Sequence, residues 1–297
     1  MRKYFWSVLF LLSLTLAENN AVDFLQTGLS ARSMALGNTG VASGGHIDTV
    51  FFNPAALQDI DFEFFSAAVQ NFEMTENKMF ALAKKFSFYE KPLVLGLIYA
   101  GSDIKNIERN TLDADERPIR DGNFSAGKNN YTLALACNTE DEDWYGLSLR
   151  RYIYSLDTAM AEATALDVGG SWRLKKFLGA DFYGGVSMHN IGRTKVYWST
   201  GHIDSMPFGM NAGLAVKRKI LTMPFCVNLD WSWRESEELR FSSGLECDLQ
   251  ILALRVGWDE HITYGLGLRY YTLTLDYAQT MHEELGLQQR VALTLYL

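Results

Sequence analysis

Apolar and polar residues alternate along most of the second half of the chain. Phe208, Met210, Ala212, Leu214 and Val216 share one parity, and Gly209, Asn211, Gly213 and Lys217 take the other. Phe225, Val227, Leu229, Trp231 and Trp233 oppose Cys226, Asn228, Asp230, Ser232 and Arg234. The pattern continues with Leu239, Phe241, Leu245 and Leu249 against Arg240, Ser242, Glu246 and Asp248. Next come Leu252, Leu254, Val256 and Trp258 against Ala253, Arg255, Gly257 and Asp259. Arg269 and Asp276 hold the polar parity in the two following segments, and Arg290 holds it in the last, opposite Val291, Leu293, Leu295 and Leu297. A strand turns successive side chains to opposite faces. A sheet that crosses a membrane must also close on itself, because an open edge would strand unpaired N–H and C=O groups in hydrocarbon. Each strand then faces lipid on one side and a lumen on the other, which produces this alternation over about ten residues. A soluble sandwich also alternates, but it has no reason to crowd glycine onto its polar parity as this chain does. The pattern therefore predicts an all-β fold, a transmembrane antiparallel β-barrel.

Further candidate strands lie near 62–70, 77–86, 92–101, 129–138, 144–154, 163–173 and 181–190, and Asp167 and Arg173 take the polar parity in the sixth. The total is about 14, an even number as in single-chain bacterial barrels. Parity slips near Arg150–Tyr152, which suggests a bulge. Ser102–Lys128, Ile191–Ser205 and Thr280–Leu287 read as long outer loops, and Leu249-Gln250 and Tyr270-Tyr271 as tight inner turns. Trp231, Trp233 and Trp258 fall near outer strand ends, and Trp144, Tyr145 and Trp172 near inner ends, as interface anchoring leads one to expect.

The start of the chain is read as an export signal. Arg2 and Lys3 precede an uncharged apolar run from Phe5 to Leu16. Thr15 and Ala17 suit a signal-peptidase cut, which divides the chain into 1–17 signal, 18–61 N-terminal segment and 62–297 barrel. After the cut, 25 basic residues stand against 35 acidic ones, a net charge of −10, which argues against nucleic-acid binding. Mean hydropathy is −0.06 and no apolar run of eighteen residues follows, so the expected spans are strands and not helices. Cys137, Cys226 and Cys247 form no spaced pair and read as small packing residues.

Residues 22–61 do not alternate. Gly37, Gly40, Gly44 and Gly45 forbid a long helix, and Pro54 holds Asn53 extended or in a turn. Leu36, Val41, Phe51 and Phe52 nevertheless need burial, and a polar lumen wide enough for a plug is adjacent.

The run Ala31-Arg32, Met34-Ala35-Leu36-Gly37, Gly40-Val41-Ala42 and Phe52-Asn53-Pro54-Ala55-Ala56-Leu57 resembles the start of PorV/PorQ-type proteins, within the FadL-like group of outer-membrane barrels. The likeness continues in Ala165–Gly169, His189–Gly192, Leu252–Gly257 and Gly265–Tyr270. It implies a fourteen-stranded barrel whose N-terminal segment folds back as a hatch, with Arg32, Gly37, Asn53, Pro54 and Ala55 as hatch residues. It also implies a part in type IX protein secretion or cell-surface attachment, with exported proteins or secretion components as partners.

No enzyme signature stands out. His46, His189, His202, His261 and His282 show no metal-ligand spacing and read as interface or loop residues, so neither metal nor cofactor is expected. Ser187 and His189 share a parity but lack a third partner for nucleophilic catalysis. Asp113, Asp115, Glu116 and Asp121 read as a solvated loop. The lumen-facing charges Asp167, Arg173, Asp230, Arg240, Glu246, Asp248, Arg255, Asp259, Arg269, Asp276 and Arg290 are mixed in sign, which suits ion pairs that brace the wall better than an ion-selective ring. Two functions follow as expectations for a barrel seated in the lipid of a Gram-negative outer membrane: a secretion or attachment component, or a passive channel for small hydrophobic molecules.

Overall fold

The computed structural model describes residues 25, 29–71, 75–113, 115–139, 143–282 and 286–297. The segment read as an export signal lies outside them. Among the described residues sixteen strands follow the N-terminal stretch: β1 (Phe62–Asn71), β2 (Thr75–Phe88), β3 (Lys91–Leu112), β4 (Pro118–Asn138), β5 (Trp144–Leu156), β6 (Ala159–Phe177), β7 (Ala180–His189), β8 (Lys195–Trp198), β9 (Ile203–Ser205), β10 (Gly209–Ile220), β11 (Met223–Arg234), β12 (Arg240–Asp248), β13 (Leu252–Asp259), β14 (His261–Tyr270), β15 (Leu273–His282) and β16 (Gly286–Tyr296). All pairings among the described residues are antiparallel, and most join chain neighbours. β7 pairs with β10, and β16 returns to β1 with Glu63 opposite Tyr296, so 14 strands close a barrel and only β8 and β9 stand outside the ring.

Leu214, Leu266, Leu275 and Leu293 point outward and are exposed, whereas their neighbours Ala215, Gly265, Asp276 and Ala292 point inward. An apolar outer wall around a polar interior is what a bilayer requires of a closed sheet. On that wall Phe208 packs on Trp233, and Trp231, Phe241 and Trp258 form a run, with Trp231–Phe241 centroids 5.5 Å apart. At the rim that carries both barrel ends, Tyr145 and Trp172 make a second such contact at 6.1 Å. The connections 89–90, 178–179, 221–222 and 271–272 at this rim are two-residue turns. Tyr89 and Glu90 both take positive φ (47° and 65°), the geometry that matches the twist of a two-residue hairpin.

Four sequence expectations change. Ladder pairing runs unbroken from Ala126–Leu156 to Asn138–Trp144 and on into β6, so there is no slip at Arg150–Tyr152: Arg150 and Tyr152 face the lumen, and Arg151 faces out. The stretch 102–128 is mostly strand. β3 and β4 stay paired to Leu112–Pro118, and above Thr75–Ile104 and Ala126–Leu156 they form a projecting two-stranded ribbon. Asp113, Asp115, Glu116 and Asp121 are carried at its end. Likewise β15 and β16 pair as far as His282–Gly286, leaving little loop between them. Trp144 is buried on the inner parity of β5, away from lipid.

Candidate functional site: the filled lumen

The first described residues fold into short pieces because their side chains cap their own backbone. Ser30 accepts from the Ser33 amide at 3.0 Å and starts α1 (Ala31–Ala35). Gly37 follows at φ 64°, the left-handed position that ends a helix. A 3₁₀ turn spans Ile47–Phe51. Asn53 then accepts from the Ala55 amide at 3.0 Å, and Pro54, whose missing N–H costs nothing at a helix start, opens a second 3₁₀ turn, Pro54–Leu57.

These pieces lie inside the barrel. From Leu29 to Leu57 every residue is buried except the half-buried Asn38, Gly45 and His46. α1 packs on β13–β16, the first 3₁₀ turn on β1 and β2, and the second on β3–β6. Backbone meets backbone at several points, and there the wall carries glycine. A Cβ at Gly257 would lie 2.1 Å from the Gly37 nitrogen, and one at Gly146 would lie 2.2 Å from the Ala55 nitrogen. This close approach accounts for Gly146, Gly185, Gly244 and Gly257, whereas Gly209 and Gly267 leave room for the wall side chains Arg234 and Asp276.

Polar side chains of the wall grip the segment. Arg32 donates to Glu246 at 2.7 Å, and Glu246 also accepts from Arg255 at 2.8 Å. Arg255 in turn reaches Asp276 at 2.6 Å. Burial alone would lower the Arg32 pKa, but the charges of Glu246 and Asp48 outweigh it and raise it. Asp48, which burial would raise, is held below its usual value by Arg32 and by hydrogen bonds from Ser30 and Ser33. Asp230 accepts from the Gly40 and Val41 amides at 2.7 and 3.0 Å. Asn38 donates to Asp259 at 2.7 Å, which Arg240 also reaches at 2.7 Å. Gly37 donates to Thr263 at 3.2 Å, and Asn53 donates to the carbonyls of Val41 and Gly170 at 2.7 and 3.0 Å. Pro54 and Ala55 are fully enclosed beside Gly146.

The remaining charges singled out from sequence lie elsewhere on the inner face. Arg269–Asp248 (2.6 Å) and Arg173–Asp181 are partly exposed pairs near the rim that carries both barrel ends, and Arg290 is buried on β16. Asp167 anchors a separate group. Its Oδ1 accepts from Arg150 at 2.6 Å and from the Asn190 amide at 2.9 Å. Its Oδ2 accepts from Ser148 at 3.0 Å and faces His189 Nδ1 at 3.4 Å.

His189 is therefore not an interface residue. Its Nε2 lies 2.8 Å from Ser187 Oγ and 3.0 Å from the Asn211 amide nitrogen, and Ser187 and Asn211 both donate to the Phe52 carbonyl, at 2.6 and 2.9 Å. Arg234 donates to Asn211 Oδ1 at 2.9 Å and so fixes which way that amide points. The third partner missing in sequence, Asp167, thus stands beside Ser187 and His189. Ser187 nevertheless spends its proton on Phe52, and the group holds the N-terminal segment in place of an open nucleophile.

Sequence reasoning missed Arg150, His189, Glu63 and Asp48 as lumen-facing or buried polar groups, and it put Arg234 on the polar parity without counting it among the lumen charges. A continuous parity through β5 would have found Arg150. Among the described residues no cluster of His, Cys, Asp or Glu is placed to hold a metal.

No family model matches the chain, and no curated protein matches it. Solved structures do. The deltaS2S3 mutant of the TodX monoaromatic hydrocarbon channel superposes with a TM-score of 0.58 at 10% identity, over 90% of this chain and 98% of that one. The Pseudomonas putida toluene transporter TodX gives 0.52 at 11% identity, over 94% and 99%. A Pseudomonas aeruginosa FadL homologue gives 0.50 at 10% identity, over 94% and 99%. The fold is that of the FadL-like outer-membrane barrels. At these identities the likeness is one of fold, and it does not single out the PorV/PorQ-type proteins.

Proposed function

We propose that this FadL-like barrel sits in a Gram-negative outer membrane and passes small hydrophobic molecules, with the N-terminal residues 18–61 as a hatch that must shift for passage. The observation that carries the reading is the docking of the Leu29–Leu57 stretch inside the closed wall by non-covalent contacts alone. An interior needed only as a rigid core would fill with side chains from the wall, as in small barrels. Here a separate stretch of chain fills it, held by ion pairs and backbone–carboxylate bonds that a modest displacement can exchange for water. The description of the TodX neighbours as a hydrocarbon channel and a toluene transporter fits this reading. A secretion or surface-attachment role draws no support from the neighbours. No catalytic step is part of the proposal.

The test places the full chain in the outer membrane of a Gram-negative strain that lacks its own channel for hydrophobic compounds. Initial uptake of radiolabelled toluene at low concentration is then measured. Uptake severalfold above the empty strain, with sugar permeability unchanged, supports the channel. Unchanged toluene uptake, together with stoichiometric recovery of exported proteins on the tagged barrel, would move the assignment to attachment.

A further inference from the structure

The connection between β7 and β10, residues 190–208, does more than cross a rim. β6 continues nine residues, 159–167, beyond the end of its pairing with β7, and the β8–β9 hairpin leans on that free edge through Ala161–Trp198 and Glu162–Tyr197. The connection is thus a strap attached at both ends. Both ends meet at Asn190, which turns the chain at φ 54° and donates to the Pro207 carbonyl at 2.9 Å, tying the strap's beginning to its close. Beneath the strap, on the outer side of the wall, lies a cavity of about 680 Å³ lined by Met160, Thr164, Ile191, Tyr197 and Trp198 among others. Val196 and Met206 point the other way, into the buried cluster that also contains Tyr152, Tyr154 and Phe51 of the N-terminal segment.

Asp167 touches both systems with different oxygens. Oδ1 accepts from the Asn190 amide, and Arg150, held by the same oxygen, also donates to Asn190 Oδ1 at 3.1 Å. Oδ2 faces His189, whose other nitrogen joins Ser187 and Asn211 around the Phe52 carbonyl. With Nδ1 turned to the carboxylate, the imidazole is held so that Nε2 packs among Ser187 Oγ, the Asn211 amide and the Phe52 carbonyl, which it meets at 3.2 Å, and keeps both donors on Phe52. All of these side chains are buried, so none can exchange its partner for water without a displacement.

We propose that Asp167 is the positioning residue that couples the outer strap to the N-terminal segment, so that movement of either loosens the other. The inference rests on the hatch reading given above and adds the means by which an event at the outer surface reaches the lumen. A molecule wedged into the cavity under the strap would pull on Asn190. The strain passes through Asp167 to His189 and weakens the grip on Phe52. The coupling is local: Arg32–Glu246–Arg255–Asp276 and Asp230 hold the other end of the segment through bonds in which Asp167 takes no part.

The experiment is hydrogen exchange read by mass spectrometry on the full chain in lipid nanodiscs, following peptides that cover 49–56 and 191–206, with β13–β15 as the internal reference. Asp167→Asn is expected to speed exchange about tenfold or more in both peptides and leave the reference unchanged. With Asp167 intact, Ser187→Ala should speed exchange most in 49–56 and to a smaller extent in 191–206, and Asn190→Gly, which keeps the left-handed turn and removes the side chain, should do the reverse. In the Asp167→Asn background each should act on its own peptide alone. Because Asp167→Asn leaves Arg150 facing a neutral partner and could prevent folding, Arg150→Met/Asp167→Asn is measured beside it, with the same expectation. Loosening of one peptide alone by both Asp167 variants, or equal loosening of the reference strands, overturns the coupling. Toluene uptake by the same variants separates the two proposals. Joint loosening without faster uptake upholds the coupling and counts against the channel, and faster uptake with loosening of one peptide alone does the reverse.

Discussion

Arg32 and Glu246, 214 positions apart in sequence, meet at 2.7 Å inside the barrel, and both are shielded from solvent. Glu246 stands between two guanidiniums, Arg32 of the N-terminal segment and Arg255 of the wall, and Arg255 has a second carboxylate in Asp276. The pair is therefore unequal. Glu246→Leu strands Arg32 and costs about 3–5 kcal/mol of segment docking, the usual penalty for a buried charge without its partner. Arg32→Met leaves Glu246 satisfied by Arg255 and costs about 1–3 kcal/mol, nearer to the loss of one charged hydrogen bond. Local opening free energies for residues 31–36 from hydrogen exchange check the order of the two.

At Gly257 the wall leaves no room for a side chain. Gly257→Val would drive atoms into the backbone of Leu36 and Gly37, which cannot rotate out of the way as a side chain could. The expected outcome is a folded barrel with residues 35–41 displaced, seen as limited proteolysis within the segment while the heat-modifiable gel shift of the barrel persists. Leu266→Val, on the outer face of β14, should leave the segment protected.

Trp258 and Trp233 face outward and Trp144 faces in. Brominated lipids should quench the first two and spare the third. Trp144→Phe is expected to raise the quenched fraction of total fluorescence, and Trp258→Phe to lower it. The reverse result would place the wall inside out.

Among the described residues the ladder of the ribbon formed by β3 and β4 above Ile104 and Ala126 is its own, with exposed ion pairs from Lys105 to Glu76 and from Arg109 to Asp157 beside it. Replacing residues 106–123 with an Asn-Gly turn should leave the barrel's thermal midpoint and gel shift unchanged. A large fall in the midpoint would mean that the ribbon braces the wall.

How much of this was legible in the chain depends on which neighbour each residue answers to. From β10 onward, alternation gave strand existence, parity and the inner face, because lipid and lumen impose opposite demands on successive residues. It gave less at 102–128, where both faces of a ribbon meet water and nothing enforces a period of two. The β5 parity was misread because Arg151 carries a charge on the outer face, where it pairs with Glu162, so the outward row looked interrupted. Glycine on the polar parity was visible, but its cause where the backbone of residues 36–55 presses against the wall lies two hundred positions away at Gly257. Asp167 was noted as a lumen charge and Ser187 with His189 as a pair. Only the register Val168–Met188 puts the carboxylate beside the imidazole, and a register between strands is not written in either strand alone.

The account stands on one claim above the others, that residues 29–57 stopper a closed fourteen-stranded wall and can leave it. Ion conductance across a planar lipid bilayer tests this most directly, with the intact chain compared with Gly257→Val. A stoppered barrel should show no steady current as the intact chain and long-lived open steps once the segment is displaced. Continuous current from the intact chain, with steps equal to those of the variant, would contradict the claim.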